Sequence, residues 1–152
     1  MTRYALRSVP FLVLITLTLA SAGCGRGLPV LVPVRGKVTL PSGTPIHNGS
    51  VTLYPDTAKG NKSKELPIGA IDAQGNFTVM TGTREGAPPG WYKVAISAAE
   101  QIDPNNPYFT DWLIHERYIN PETSRLTAEV VESPTAGRYD FQVDPHPKSK
   151  KK

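Results

Sequence analysis

Short segments in which apolar and polar residues alternate, separated by glycine and proline, constrain the fold of this chain more than any other feature. In residues 34–40, Val34, Val38 and Leu40 fall on one face of an extended chain, and polar residues fall on the other. The same alternation recurs in the segments 50–54, 76–79, 91–98, 126–130 and 139–143, and residues 68–71 are predicted to form a hairpin with residues 76–79. A side-chain period of two is typical of strands that bury one face. The sequence therefore predicts seven short β-strands.

The residues between these segments favour turns over helices. The 152 residues include 15 Pro and 13 Gly without a repeating period, which excludes a collagen-like chain and is typical of a turn-rich domain. In the clearest turn, Asp72 opens and Gly75 closes a hairpin, since glycine adopts positive φ at little cost. Residues 58–65 are polar without an apolar period and are interpreted as an exposed loop. We predict an all-β fold, a seven-stranded antiparallel β-sandwich of immunoglobulin-like type over residues 34–144.

The first 23 residues have the pattern of an export signal peptide. Arg3 and Arg7 precede an apolar run, residues 9–20, which is shorter than the ~20 residues that span a membrane. Residues 20–24, Ala-Ser-Ala-Gly-Cys, resemble the bacterial lipobox, and the resemblance implies that Cys24 is lipidated on its sulfur and becomes the first residue of the mature protein. The alternative is an ordinary signal-peptidase site at residues 20–22, which would yield a secreted domain without a lipid.

The charge of the chain is concentrated at its two ends. Residues 24–33, rich in Gly and Pro, are interpreted as a lipid-anchored tether, and residues 145–152 as a disordered basic tail. The formal net charge is +4, but without the two arginines of the leader and the four lysines of the tail, 11 basic and 13 acidic residues remain. A folded body with this balance lacks the basic face that nucleic acid requires. We therefore expect no nucleic-acid partner.

The chain lacks the residue patterns of the common catalytic and metal sites. One Cys excludes a site with several thiolate ligands, and His115-Glu116 lacks the second His of a zinc-peptidase helix. The sequence contains neither a G-x-S-x-G nucleophile motif nor a glycine-rich phosphate loop. We predict a protein that is not an enzyme, with no catalytic residues, no metal and no cofactor. The alternative is an envelope enzyme with a site in residues 99–123 formed by Asp111, His115 and Glu116.

The segment 99–123 is the longest stretch between predicted strands, and it is rich in aromatic residues. Thr110 is placed to cap one or two helical turns. Large exposed rings mark interfaces, whereas buried rings would make the segment a flap over the sandwich, and both interpretations stay open. The candidate binding surface consists of Tyr108, Phe109, Trp112 and Tyr118.

The order of elements resembles a known family. The segments that carry the resemblance are residues 33–40, 49–55, 71–79, 89–94, 118 and 124–130. They are similar to small planctomycete-type lipoproteins of the carboxypeptidase regulatory-like class, whose domain resembles the transthyretin-like, or prealbumin-like, sandwich of some metallocarboxypeptidases. The resemblance implies a non-catalytic cell-envelope lipoprotein, anchored in membrane lipid through Cys24, facing the periplasm or exterior. Its role would be structural or the binding of a protein or glycan partner.

Overall fold

The computed structural model describes residues 29–103 and 105–147, and these residues form a predominantly β-structure. The ten strands assigned there are β1 Arg35–Thr39, β2 Gly49–Pro55, β3 Ile68–Ile71, β4 Asn76–Thr78, β5 Met80–Thr81, β6 Arg84–Glu85, β7 Gly90–Asp103, β8 Asn106–Trp112, β9 Leu126–Val130 and β10 Phe141–Gln142. Two 3-10 helices, Thr57–Lys59 and Glu116–Ile119, and one short α-helix, α1 Pro121–Ser124, complete the described elements. The all-β prediction is confirmed. Four predicted features lie outside the described residues: the leader, Cys24, the tether up to residue 28 and the lysines of the tail.

The strands form a mixed sheet in the order β10-β1-β4-β3-β2-β7-β8, with β9 also paired to β7, and β5 paired to β3 and β6. The pairs are antiparallel except β1 with β10, where Val38 lies opposite Phe141 in a parallel register. The chain leaves β9, beside β7, and returns to β10 at the far end of the strand order. This crossover lets β10 run alongside β1 in the same direction, in contrast to the purely antiparallel arrangement that the sequence predicts.

The segment 99–123 differs from its prediction. β7 continues to Asp103 and forms a hairpin with β8, with Ala99 opposite Trp112 and a register shift after Gln101. Residues around Thr110 are therefore paired in a strand, and the helical turns begin only at Glu116. The backbone N–H and C=O groups of this segment form hydrogen bonds with β7, so they do not need the hydrogen bonds of a helical turn.

The alternating residues form the core as predicted. In β7, Tyr92, Val94, Ile96 and Ala98 are fully buried, and the register places Ile96 opposite Val51 of β2. Leu126 is only partly buried, although the alternation of β9 predicts an inward position. The centre of β7 is covered on its other face as well, since Ala95 is also buried and both α1 and the 3-10 helix Glu116–Ile119 pack against this strand.

The hairpin at residues 72–75 has the predicted geometry. The amide of Asp72 donates to the carbonyl of Asn76 at 2.9 Å, and the amide of Gly75 donates to the carbonyl of Asp72 at 3.0 Å. Gly75 has a φ of 84° and approaches β1, where a Cβ would lie 2.8 Å from the carbonyl oxygen of Val38. Both the positive φ and the close approach require glycine at this position.

Candidate functional site

A cleft of about 500 Å³ lies between the loop of residues 59–65 and the start of β7. Its charged and aromatic lining residues are Lys59, Lys62, Lys64, Glu65 and Trp91. Pro88, Pro89 and Gly90 form the opposite wall, and Pro29, at the start of the described chain, completes the rim. The cleft therefore joins three segments that are distant in sequence, and we call it the lysine cleft.

The loop beside the lysine cleft is fixed by hydrogen bonds to the backbone of Trp91. The buried Asp56 caps the 3-10 helix Thr57–Lys59, because its Oδ1 accepts from the amides of Ala58 and Lys59 at 3.1 and 3.3 Å. The Trp91 carbonyl accepts from the Asp56 amide at 2.9 Å and from Asn61 Nδ2 at 2.8 Å. Both ends of this turn are thus attached to one carbonyl group of β7.

Asn61 is the central residue of this arrangement. Its side chain is inside the protein, with only 7% of the residue exposed, and its Oδ1 accepts from the Ser63 amide at 3.0 Å. Gly90 makes room for it, since a Cβ there would lie 3.0 Å from Asn61 Nδ2, and the φ of 140° at Gly90 suits glycine. A buried amide that uses both its donor and its acceptor holds the loop in one conformation.

Tyr92 supports the cleft from beneath. Its buried hydroxyl donates to the Pro88 carbonyl at 2.8 Å and so fixes the proline wall. Burial raises the pKa of Tyr92, and hydrogen bonding from the side chains of Asn61 and Ser63 opposes that rise only in part. The hydroxyl therefore remains a neutral hydrogen-bond donor throughout the ordinary pH range.

The lysine cleft carries positive charge that no carboxylate neutralises directly. Lys59 Nζ lies 3.8 Å from the centroid of the half-buried Trp91 ring, a cation–π contact. Lys62 and Lys64 are exposed, and neither forms an ion pair in the part of the chain that the structure describes. By contrast, four other cations are paired: Arg35 with Glu85, Lys93 with Glu122, Arg117 with Asp144 and Arg138 with Glu129. Three lysines without an ion pair therefore line one cleft, whereas Lys37, Arg84 and Arg125, which form no ion pair either, lie elsewhere in the described chain.

The residues of the alternative enzyme site lie at separate positions, and one of them, His115, caps a helix. Asp111 is exposed in β8 opposite Glu100, and Glu116 is exposed in the first turn of its 3-10 helix. His115 caps that helix, since its Nδ1 accepts from the Arg117 amide at 3.2 Å. Among the described residues no hydrogen bond or ion pair joins Asp111, His115 and Glu116, and no group of three His, Cys, Asp or Glu side chains is arranged to hold a metal ion.

The predicted aromatic surface is wrong for Tyr118. Its ring belongs to the core, at 3% exposure, because the 3-10 helix turns this side chain inward. Its hydroxyl accepts from Arg117 Nη2 at 2.7 Å and lies 3.1 Å from Asp144 Oδ2. Trp112 is half-buried in β8, and Tyr108 and Phe109 belong to the same strand, although their side chains lie outside the described part of the structure.

The lysine cleft is not evident from the sequence, in which residues 58–65 have only the pattern of an exposed loop. One feature of the sequence does indicate a basic site here: three of the six residues 59–64 are lysines, in a domain with an excess of acidic residues. The sequence does not indicate that Trp91 belongs to the cleft, because the hydrogen bond from Asn61 to the Trp91 carbonyl joins positions 30 residues apart.

Comparison with known proteins finds no significant match to a protein-family model, a curated protein or a solved structure. The resemblance to carboxypeptidase regulatory-like lipoproteins therefore stays a prediction. Within residues 29–103 and 105–147, no helix has the length and hydropathy needed to cross a membrane.

Proposed function

We propose that this chain is a non-enzymatic module of the cell envelope that is anchored in a membrane by lipid on Cys24. The observation that carries the proposal is the position of the one cysteine, directly after a leader that ends in small residues. Two or three acyl chains contribute ~0.8 kcal/mol per buried methylene and hold a protein stably, whereas one myristoyl chain does not. The module then lies on the membrane without spanning it.

We further propose that the mixed sheet is folded on itself as a prealbumin-like sandwich. An apolar sheet face must be covered by a second layer. In the described residues the only α-helix has four residues, so most of that cover has to come from the sheet itself. The buried cluster contains residues from strands that lie far apart in the strand order, Phe141 of β10 and Ile96 of β7, which supports this arrangement.

A structural or binding role fits the chemistry of the described side chains better than catalysis does. The polar residues that sequence analysis assigned to an enzyme each hold a local turn or remain exposed at separate positions. The lysine cleft offers three exposed ammonium groups, which attract anions, and the Trp91 ring beside them is in contact with Lys59. The partner in the envelope would be a protein or a glycan, bound at the surface that contains Trp112, or a lipid surface.

Detergent phase partitioning of the full chain, expressed in a bacterium with an active export and lipidation pathway, tests this proposal. We expect the wild-type protein in the detergent phase and Cys24→Ser either in the aqueous phase or retained as the unprocessed precursor. Ser21→Ala is the matched control, since it changes the leader and keeps the cysteine, and it should still enter the detergent phase. A processed wild-type protein in the aqueous phase would contradict the anchor and favour ordinary secretion.

A further inference from the structure

The lysine cleft lies next to the point where the described chain begins. Pro29 lines the cleft, and its carbonyl accepts from Arg84 Nη2 at 3.2 Å. Three residues later, Val32 and Ala87 exchange two backbone hydrogen bonds, at 2.9 and 3.0 Å. These bonds fix the entry of the tether into the domain at the rim of the lysine cleft.

The proposed anchor is therefore close to the lysine cleft. Cys24 precedes Pro29 by five residues, and an extended chain spans at most ~3.6 Å per residue, so the two positions are separated by no more than about 18 Å. If Cys24 is held in the membrane, this short connection allows the rim of the cleft to come into contact with the lipid headgroups. Lys59, Lys62 and Lys64 line this cleft together with Pro29, and none of the three forms an ion pair among the described residues.

The composition of the lysine cleft suits an anionic lipid surface. Lys59, Lys62 and Lys64 are compact charges of the kind that bind phosphate, and Glu65 is the one acidic residue among the lining residues that the structure describes. Trp91 is half-buried, and tryptophan favours the boundary between headgroups and acyl chains.

We propose that the lysine cleft is a docking surface for anionic phospholipid, with Lys59, Lys62 and Lys64 directed at headgroup phosphates of the membrane that holds Cys24. This inference rests on the proposed function, because the anchor supplies the proximity. The cleft would then set the orientation of the domain, and the β7–β8 hairpin would be free to meet a partner.

Lysine labelling on vesicles tests the docking surface. The purified exported protein is incorporated into vesicles of phosphatidylcholine alone or with 30% phosphatidylglycerol, a proportion of about the anionic content that attracts basic segments. An amine-reactive acetylating reagent then modifies exposed lysines, which are quantified by peptide mass spectrometry. We expect Lys62 and Lys64 to react several-fold more slowly on the anionic vesicles, and Lys37, on β1, to react at the same rate on both. Equal rates at Lys62 and Lys64 on the two vesicle types would overturn the inference.

Two further arms separate the other outcomes. In the first arm, the vesicles are sedimented and the bound protein is measured. Protein that remains in the supernatant with phosphatidylcholine vesicles would refute the lipid anchor, and its binding to the anionic vesicles would then test the lysine cleft alone. In that arm Lys62→Ala and Lys64→Ala should each weaken binding roughly 5-fold, and Lys37→Ala, which removes the same charge from an exposed lysine on β1, should weaken it far less. In the second arm, soluble glycerol phosphate replaces the vesicles during acetylation. If it slows the acetylation of Lys62 and Lys64 as much as anionic vesicles do, the membrane assignment would be overturned in favour of a site for soluble phosphate esters.

Discussion

Asp72 illustrates how one side chain fixes a reversal of the chain. Its Oδ1 accepts from the amides of Gln74 and Asn76, both at 2.8 Å, and its Oδ2 accepts from Asn76 Nδ2 at 3.2 Å. Desolvation would raise the pKa of Asp72, but the hydrogen bonds from Asn76, Gln74 and Gly75 together outweigh it and hold the pKa below its ordinary value of 3.8. The charged carboxylate is therefore favoured in the folded state.

This lowered pKa gives the stability of the domain a defined pH dependence. The contribution of the Asp72 carboxylate is present above its ordinary pKa and is lost as the pH falls through the lower pKa of the folded state. We expect Asp72→Asn to be less stable than wild type at neutral pH, and the difference to shrink between about pH 5 and pH 2 in urea unfolding experiments. Glu132→Gln, at an exposed position, is the control and should show no such trend. A constant difference for Asp72→Asn would contradict this explanation.

Phe141 gives a second test at the residue scale. It is 7% exposed, and its ring stacks on Phe77 of β4 with centroids 6.0 Å apart. Because β10 has only two residues, its attachment to β1 depends strongly on this side chain. Phe141→Ala should lower the free energy of unfolding by roughly 3 to 5 kcal/mol, and the exposed neighbour Gln142→Ala by less than ~0.5 kcal/mol. A loss below ~1 kcal/mol for Phe141→Ala would place β10 outside the core.

At the scale of elements, the sequence predicts those strands whose buried residues alternate locally. The segments 34–40, 50–54, 68–71, 76–79 and 126–130 correspond to β1, β2, β3, β4 and β9, and the turn at 72–75 has the predicted hydrogen bonds. The end of β7 was not predictable in this way, because beyond Ala98 the strand leaves β2 and continues with polar residues such as Glu100. Its pairing with β8, and the parallel pairing of β10, are set by contacts between distant segments.

The lysine cleft was missed for the same reason, and the loop beside it allows an element-scale prediction. Asn61→Ala removes the amide that joins residues 61–63 to the Trp91 carbonyl, so it should cost roughly 1 to 3 kcal/mol of stability. Hydrogen exchange at the Ser63 amide should become faster, and exchange in the β2–β7 pairing should change only with global stability. Lys62→Ala, an exposed neighbour, should change neither quantity. An unaltered exchange rate at Ser63 in Asn61→Ala would show that other contacts hold the loop.

Considered as a whole, the molecule combines a proposed lipid anchor with a cleft lined by three lysines. The basic residues of the lysine cleft lie beside the tether, whereas the body as a whole has an excess of acidic residues. In the proposed arrangement the cleft rests on the membrane, and the β7–β8 hairpin with Trp112 stays available to a partner. The account as a whole depends on the lipid at Cys24, because that lipid places the cleft at the membrane.

The decisive measurement for lipidation of Cys24 is the mass of the N-terminal peptide of the processed protein. We expect a peptide that begins at Cys24 and carries the mass of a diacylglycerol group, with or without a third acyl chain, and no such adduct in Cys24→Ser. A mature protein that begins at Gly23 with an unmodified cysteine, as ordinary signal-peptidase cleavage would leave it, would refute the lipid anchor.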